Sequence, residues 1–305
     1  MLLFDLSGAF SRIRLRGSTR LDFLHRMSTG DVRGLKPGEG KPTVLTTPIG
    51  RIVDYLITLA FADSVLLIGG GGNQEKVVRW LRKYIFFNDD VQVSDETPET
   101  HMLGIGADDE RHGIEGLGLD VSLLALPEYA HATVESPLSS DGRVLVMRAP
   151  RALGLSAFVI GRELDGALRA SASSAAPDFE TWRILQGYPR FPNEINEDYI
   201  PLEAGLWSAV SFNKGCYTGQ EVIARMESRG QIAKKLVWLT GSTDRLSPGE
   251  ALLAESGEPE GVIGKVTSAT HGAALAYVRS AFAQQNLRLK SQQGAIVQVA
   301  RVVRI

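Results

Sequence analysis

Polar and apolar positions alternate through AFSRIRLRG, residues 9–17, which predicts a β-strand. The period then becomes helical. Thr19 and Asp22 have capping-box spacing, and Leu21, Leu24 and Met27 continue one apolar face, so a helix is expected to open at Ser18 or Thr19. Turn signals at residues 48–50 and 63–64 divide TVLTTPIGRIVDYLITLAFADSVLLIGGGG into three antiparallel strands. In the middle strand Val53, Tyr55, Ile57 and Leu59 share one face, and Ile52, Asp54, Leu56 and Thr58 share the other. The glycine run 69–72 lacks both the Lys-Ser/Thr of a phosphate loop and dinucleotide-fingerprint spacing. It reads as a tight turn into a helix whose buried stripe is Val77, Val78, Leu81, Tyr84 and Ile85.

Residues 90–170 read as alternating strands and short helices without a chemical signal, and LRASASSAAPD, residues 168–178, as a flexible linker. A helix is expected from residue 178 to about 186, ended by Gly187 and Pro189. From residue 231 onward, short alternating runs separated by Gly, Ser and Pro predict a small antiparallel barrel.

At 305 residues the chain has room for two or three subdomains, and a net charge of −2 leaves no global electrostatic footprint for nucleic acid. The single cysteine excludes an intramolecular disulfide and an all-cysteine metal cage. His25, His101, His112, His131 and His271 show no metal-ligand spacing, so no resident metal is expected. Asp5 interrupts the apolar N-terminal run and no basic leader precedes it, which argues against a secretory signal. No window is long enough to span a membrane, and a cytoplasmic location is expected.

The one cysteine, Cys216, lies in NKGCYTGQEVIARMESRG, residues 213–230. Thr218 and Glu221 again have capping-box spacing, predicting a helix of about three turns that starts near Gly219. Val222, Ile223 and Met226 form its apolar face, and Gly230 suits its C-terminal cap. A thiol just before a helix N-terminus, two residues from the ammonium of Lys214, has an environment that favours thiolate. The alternative is a small buried hydrophobe.

KGCYTGQE followed by AR and RG resembles the signature of the folate-binding YgfZ family, relatives of the glycine-cleavage T-protein implicated in iron–sulfur protein maintenance. GRIVDYLI resembles the T-protein strand whose aspartate lies beside the folate, with Asp54 at that position; several YgfZ relatives lack an acid there. T-proteins carry an asparagine in the turn where this chain has its glycine run. The helix with Arg183 to Gly187 resembles the RLEAG helix of T-protein, but Leu185 stands where the pterin-contacting glutamate would be. Glu203 falls in a P-x-E-A-G-L segment of the family pattern.

The resemblance implies an α+β, T-protein-like fold. Residues 1–230 would form two α/β subdomains, roughly 1–95 with 178–230 and 96–177, around a central cavity, followed by a β-barrel over 231–305. It further implies tetrahydrofolate or a one-carbon derivative as cofactor, with Asp54 and Cys216 carrying the chemistry. Lys214, Gly215, Tyr217, Gly219, Gln220, Glu203 and Arg225 would bind the ligand. For Asp54 and Glu203, plain solvated carboxylates are the alternative reading.

Three functions follow, in order of preference: a folate-binding factor for iron–sulfur assembly or repair whose partners are iron–sulfur proteins, a tetrahydrofolate-dependent aminomethyltransferase, and a tRNA-modification module. The last would use the modest basic cluster of Arg225, Arg229, Lys234 and Lys235. Four such charges are more often a solvated helix end.

Overall fold

A computed structural model of the chain describes residues 2–173, 177–230, 232–255 and 261–305. It divides into two compact units.

The first unit comprises residues 1–45, 54–179 and 213–218. Its strands are β1 (Leu3–Asp5), β2 (Phe10–Arg16), β3 (Gly40–Thr46), β4 (Ile52–Ala60), β5 (Ser64–Gly70), β6 (Gln92–Asp95), β7 (His101–Gly106), β8 (His131–Glu135), β9 (Arg143–Arg148) and β10 (Leu155–Gly161). Helices α1 (Arg20–Met27), α2 (Gln74–Lys83), α3 (Glu110–Gly116) and α4 (Gly166–Ser173) accompany them. One sheet has the order β3-β4-β5-β2-β6 and contains the expected meander; the other has the order β1-β7-β10-β9-β8. Ile114 of α3 and Ala172 of α4 join Leu103, Val146 and Val159 in the core of the second sheet.

Two expectations fail here for local reasons. Thr19 does stand at the N-cap of α1, but its hydroxyl donates to the Asp90 carbonyl at 3.1 Å, and no side chain caps the helix. The expected linker is largely the helix α4, because alanine is the best helix former and Ala172 has a core to enter. The Asp165 carboxylate accepts from the Leu168 N–H at 2.8 Å and helps start that helix. Residues 174–176 of the expected linker lie outside the described residues.

The second unit comprises residues 46–53, 180–212 and 219–305. Helices α5 (Phe179–Gln186) and α6 (Gln220–Arg229) are followed by β11 (Lys234–Gly241), β12 (Ala251–Ala254), β13 (Gly264–Thr270), β14 (Ala273–Arg279), β15 (Arg288–Ser291) and β16 (Ile296–Val302). These six strands close into a barrel of order β11-β14-β13-β12-β15-β16, as the alternating runs predicted. Val237, Leu239, Val266, Ala276 and Val299 fill it. Closure removes the open edges on which strands aggregate.

Arg183 of α5 ties this unit together from a fully buried position. It donates to both carboxylate oxygens of Glu180, to Glu194 Oε2 at 2.9 Å, to the Tyr188 carbonyl at 3.1 Å and to Ser268 Oγ of β13 at 2.7 Å.

Candidate functional site

Strand β4 is buried along its whole length, so a solvated Asp54 on a half-covered sheet is overturned. A buried carboxyl needs partners. Oδ1 accepts from the Tyr55 N–H at 2.9 Å, the Gly70 N–H lies 3.1 Å from Oδ2, and the side chain of Asn73 makes a further hydrogen bond. Burial is the largest influence on Asp54 and raises its pKa from 3.8 to about 7 against the pull of these bonds and of Lys76. Near neutral pH the group therefore exists as both acid and carboxylate and can take up or release a proton.

Asn73 is a site residue that the sequence reading missed. It occupies the N-cap of α2 yet caps nothing with its side chain, which is 2% exposed and turned to Asp54. The family resemblance aligns the T-protein asparagine with the glycine run just before Asn73, which leaves Asn73 itself without a signal in the sequence. Gly69 is glycine for a packing reason: a Cβ there would lie 2.8 Å from Asp54 Oδ2 and 3.0 Å from Ser11 Oγ. The buried Ser11 hydroxyl has no hydrogen-bond partner among the described residues.

The cysteine loop is anchored by its lysine. Lys214 Nζ donates to the carbonyls of His25 at 2.5 Å, Ser28 at 2.8 Å and Gly30 at 2.7 Å, at and beyond the C-terminal end of α1. Helix C-termini leave such carbonyls without intrahelical donors, and an ammonium has three N–H groups, so its donors are fully used. Lys214 thus pins the loop through all three of its donors, and its charge stays two residues from the thiol. Burial, its largest influence, lowers the pKa of Lys214 from 10.5 to about 8. Nζ also lies 5.2 Å from the ring centroid of Tyr217, whose own burial raises its phenol to about 12. Gly215 has open space where a Cβ would point, and Cys216 is exposed.

The expected capping box does not form. Gly219 is the N-cap of α6, at φ 84°, without a side-chain cap, which places Thr218 one position too early. Glycine is required at residue 219, because a Cβ would also meet Thr47 O at 2.7 Å and Thr46 Oγ1 at 2.8 Å. The helix itself has the expected length and ends at Gly230, which has φ 59°.

Cys216 should behave as an accessible thiol. Iodoacetamide is expected to alkylate it in native protein at the rate of a solvent-exposed thiol. Labelling that appears only after addition of denaturant would return Cys216 to the packing role.

In the second unit, Glu203 is 4% exposed and accepts from the Ile200 N–H at 3.2 Å, so the solvated-loop alternative fails for it too. Burial raises its pKa, partly offset by that bond and by Lys234 and Arg51. Gln220 is half-buried at the start of α6, and Arg225 is exposed on it. Of the expected set, the first unit thus carries Asp54, Lys214, Gly215, Cys216 and Tyr217, and the second carries Glu203, Gly219, Gln220 and Arg225.

Among the described residues, no group of three or more His, Cys, Asp or Glu is arranged to hold a metal ion, and no helix is long and apolar enough to cross a membrane.

Comparison with known proteins places the chain in a family. The GCVT N-terminal domain model matches residues 1–134. A candidate chloroplastic transferase of Arabidopsis thaliana is 30% identical over 283 residues, 89% of this chain and 62% of the relative, so the chain spans less than two thirds of that protein. The tRNA-modifying protein YgfZ of Hamiltonella defensa is 30% identical over 244 residues, 79% of this chain and 70% of the relative. The crystal structure of glycine cleavage system aminomethyltransferase T from Bartonella henselae matches 97% of this chain and 84% of its own, with a TM-score of 0.79 at 21% identity, a likeness of fold. The fold is that of the T-protein, and the chain belongs to the GCVT and YgfZ family of aminomethyltransferase-like proteins.

Proposed function

We propose that the protein binds a reduced folate, tetrahydrofolate or a one-carbon derivative, through Asp54 and its neighbours, and uses it with the thiol of Cys216 in the assembly or repair of iron–sulfur proteins. The observation that carries this reading is the carboxyl of Asp54, bonded to Asn73 and the Gly70 N–H and raised by its burial to a pKa of about 7. Its donor set fits the ligand: a carboxyl poised between two protonation states accepts from ring N–H and amine groups, and the orphaned Ser11 hydroxyl on the same Gly69 is a second polar group available beside it. A reduced folate supplies one-carbon chemistry at its amine nitrogens. Asp54 would orient that amine and hold or release a proton at Oδ2, while the loop pinned by Lys214 presents Cys216. A single thiol cannot resolve its own mixed disulfide, so redox use of Cys216 requires an external thiol or a partner.

Calorimetric titration with tetrahydrofolate tests the binding. Saturable binding retained in Cys216→Ala separates ligand affinity from thiol function; absence of binding to the native protein overturns the proposal. The iron–sulfur role is tested separately, by restoring iron–sulfur enzyme activity to cells that lack the protein. Wild type should succeed and Cys216→Ala should fail.

Glycine-cleavage activity is expected to be absent, because the half-buried Leu185 offers no carboxylate to a pterin. Purified protein given aminomethylated lipoyl carrier and tetrahydrofolate should release no ammonia above background. Release would make the aminomethyltransferase reading the better one. The tRNA-modifying role named for the YgfZ relative has weaker support here, since Lys234 of the expected basic cluster lies over the Tyr199 ring, 4.9 Å from its centroid.

A further inference from the structure

The face of β2 opposite Ser11, Ile13 and Leu15 carries Arg12, Arg14 and Arg16, and these border a cleft of about 240 Å³ within the first unit. Arg143 of β9 and Arg162, which follows β10, line the same cleft, over apolar walls that include Phe61, Leu66 and Leu145. Asp54 and Asn73 are not among its lining residues.

Against five guanidinium groups the cleft has two carboxylates, Glu96 and Asp141. Glu96 bridges Arg14 at 3.0 Å and Arg16 at 3.1 Å. Asp141 accepts from the Ser139 hydroxyl at 2.8 Å and from the Arg143 backbone N–H at 3.2 Å. Arg162 reaches outward to Glu99 at 3.1 Å. The guanidinium of Arg143 is exposed and has no hydrogen-bond or ion-pair partner among the described residues.

Arg12 is 1% exposed, and every acceptor it finds is neutral: the carbonyls of Ser7, Phe10, Thr97 and Thr100 and the Thr100 hydroxyl. Burial pushes it down to about 10, with Asp95 and Asp5 opposing. A cation in a low-dielectric wall without a hydrogen-bonded anion directs positive potential into the adjoining space.

We propose that this cleft binds the phosphate group of a small molecule. Guanidinium forks match phosphate oxygens in pairs, and Arg14, stacked over Phe61 at 4.8 Å from its centroid, shows that the aromatic wall accepts a planar group. The volume is just below the range of about 300–1,000 Å³ for ligand pockets, which suits a phosphate and a small attached group. A polymer is disfavoured, because the chain's net charge of −2 offers no long-range attraction to a polyanion. Glu96 occupies the forks of Arg14 and Arg16 that an incoming anion would compete for.

The experiment is calorimetric titration at low ionic strength with inorganic phosphate and with AMP, on wild type, Arg143→Met, Arg162→Met and Glu96→Gln. Saturable binding is expected, weakened about tenfold in each arginine variant, tightened in Glu96→Gln and weakened by salt. Tighter binding of AMP than of phosphate identifies a phosphate ester as the ligand class; equal binding identifies free phosphate. Tetrahydrofolate titration of Arg143→Met should match wild type. The proposal is overturned by absence of saturable binding to both probes, by arginine variants that bind as well as wild type, or by a single-stranded oligoribonucleotide that displaces AMP from these arginines.

Discussion

Asp54→Asn is expected to weaken tetrahydrofolate binding about tenfold or more and to flatten the dependence of stability on pH. The substitution keeps the volume and the oxygen that accepts from Tyr55 and Gly70, but removes the charge. Loss of one charge-assisted hydrogen bond amounts to about 1.5–3 kcal/mol, and each 1.4 kcal/mol is tenfold in affinity. The stability effect has a definite sign. With the folded pKa raised from 3.8 to about 7, the folded state keeps a proton that the unfolded chain has released. This contribution is fully present below pH 3.8 and is lost as pH rises to about 7, on the order of 4 kcal/mol over the window. Urea unfolding at pH 5 and pH 8 should show wild type losing stability relative to the variant at the higher pH. Parallel curves for the two proteins, or unchanged folate affinity, would remove Asp54 from the role assigned to it.

Arg183→Met should destabilise the protein by about 3–5 kcal/mol, more than any surface substitution. Neither Arg183 nor Glu194 has any exposed side-chain surface, and they lie 2.9 Å apart. Desolvation is the largest influence on Arg183 and opposes its charge, but Glu194 and Glu180 outweigh it and raise its pKa. Methionine fills the space and leaves Glu194 buried, with Ser268 and the Arg190 N–H as its remaining donors among the described residues, at 2.6 and 3.1 Å. Removing one partner of a buried pair is far more costly than replacing both, so Arg183→Met with Glu194→Gln should recover part of the loss. Urea midpoints for the single and double variants measure this directly. A single variant within about 1 kcal/mol of wild type would show that the pair is not needed.

Elements whose signal lies in local periodicity could be read from the sequence: the meander around β4, the α6 helix with its terminal glycine, and the barrel strands. Features that depend on register between distant segments could not. Asn73 carries no signal at the end of a glycine run until β5 and β4 bring it to Asp54, and Arg183 is one polar position in a helix until β13 supplies Ser268. Thr19 and Thr218 have correct cap spacing, but a single spacing cannot distinguish a box from a hydroxyl donating elsewhere or a helix starting one residue later. The arginines of β2 did leave a trace, since Arg12, Arg14 and Arg16 recur with period two. Alternate cations on a strand ordinarily mark its solvent face, and only the second sheet turns that face into a cleft.

The three carbonyls gathered by Lys214 make residue 214 selective in a way that charge alone does not. An ammonium is a tripod whose donors diverge from one point, and the carbonyls of His25, Ser28 and Gly30 converge on such a point. A guanidinium is a flat fork with its donors in one plane and cannot meet three acceptors around a single nitrogen. Arginine would therefore be no conservative replacement here, and acetylation, which removes both the charge and two of the three donors, would detach the cysteine loop from the end of α1. The lysine is thus chosen for the shape of its donor set, and the position of the thiol two residues away depends on it.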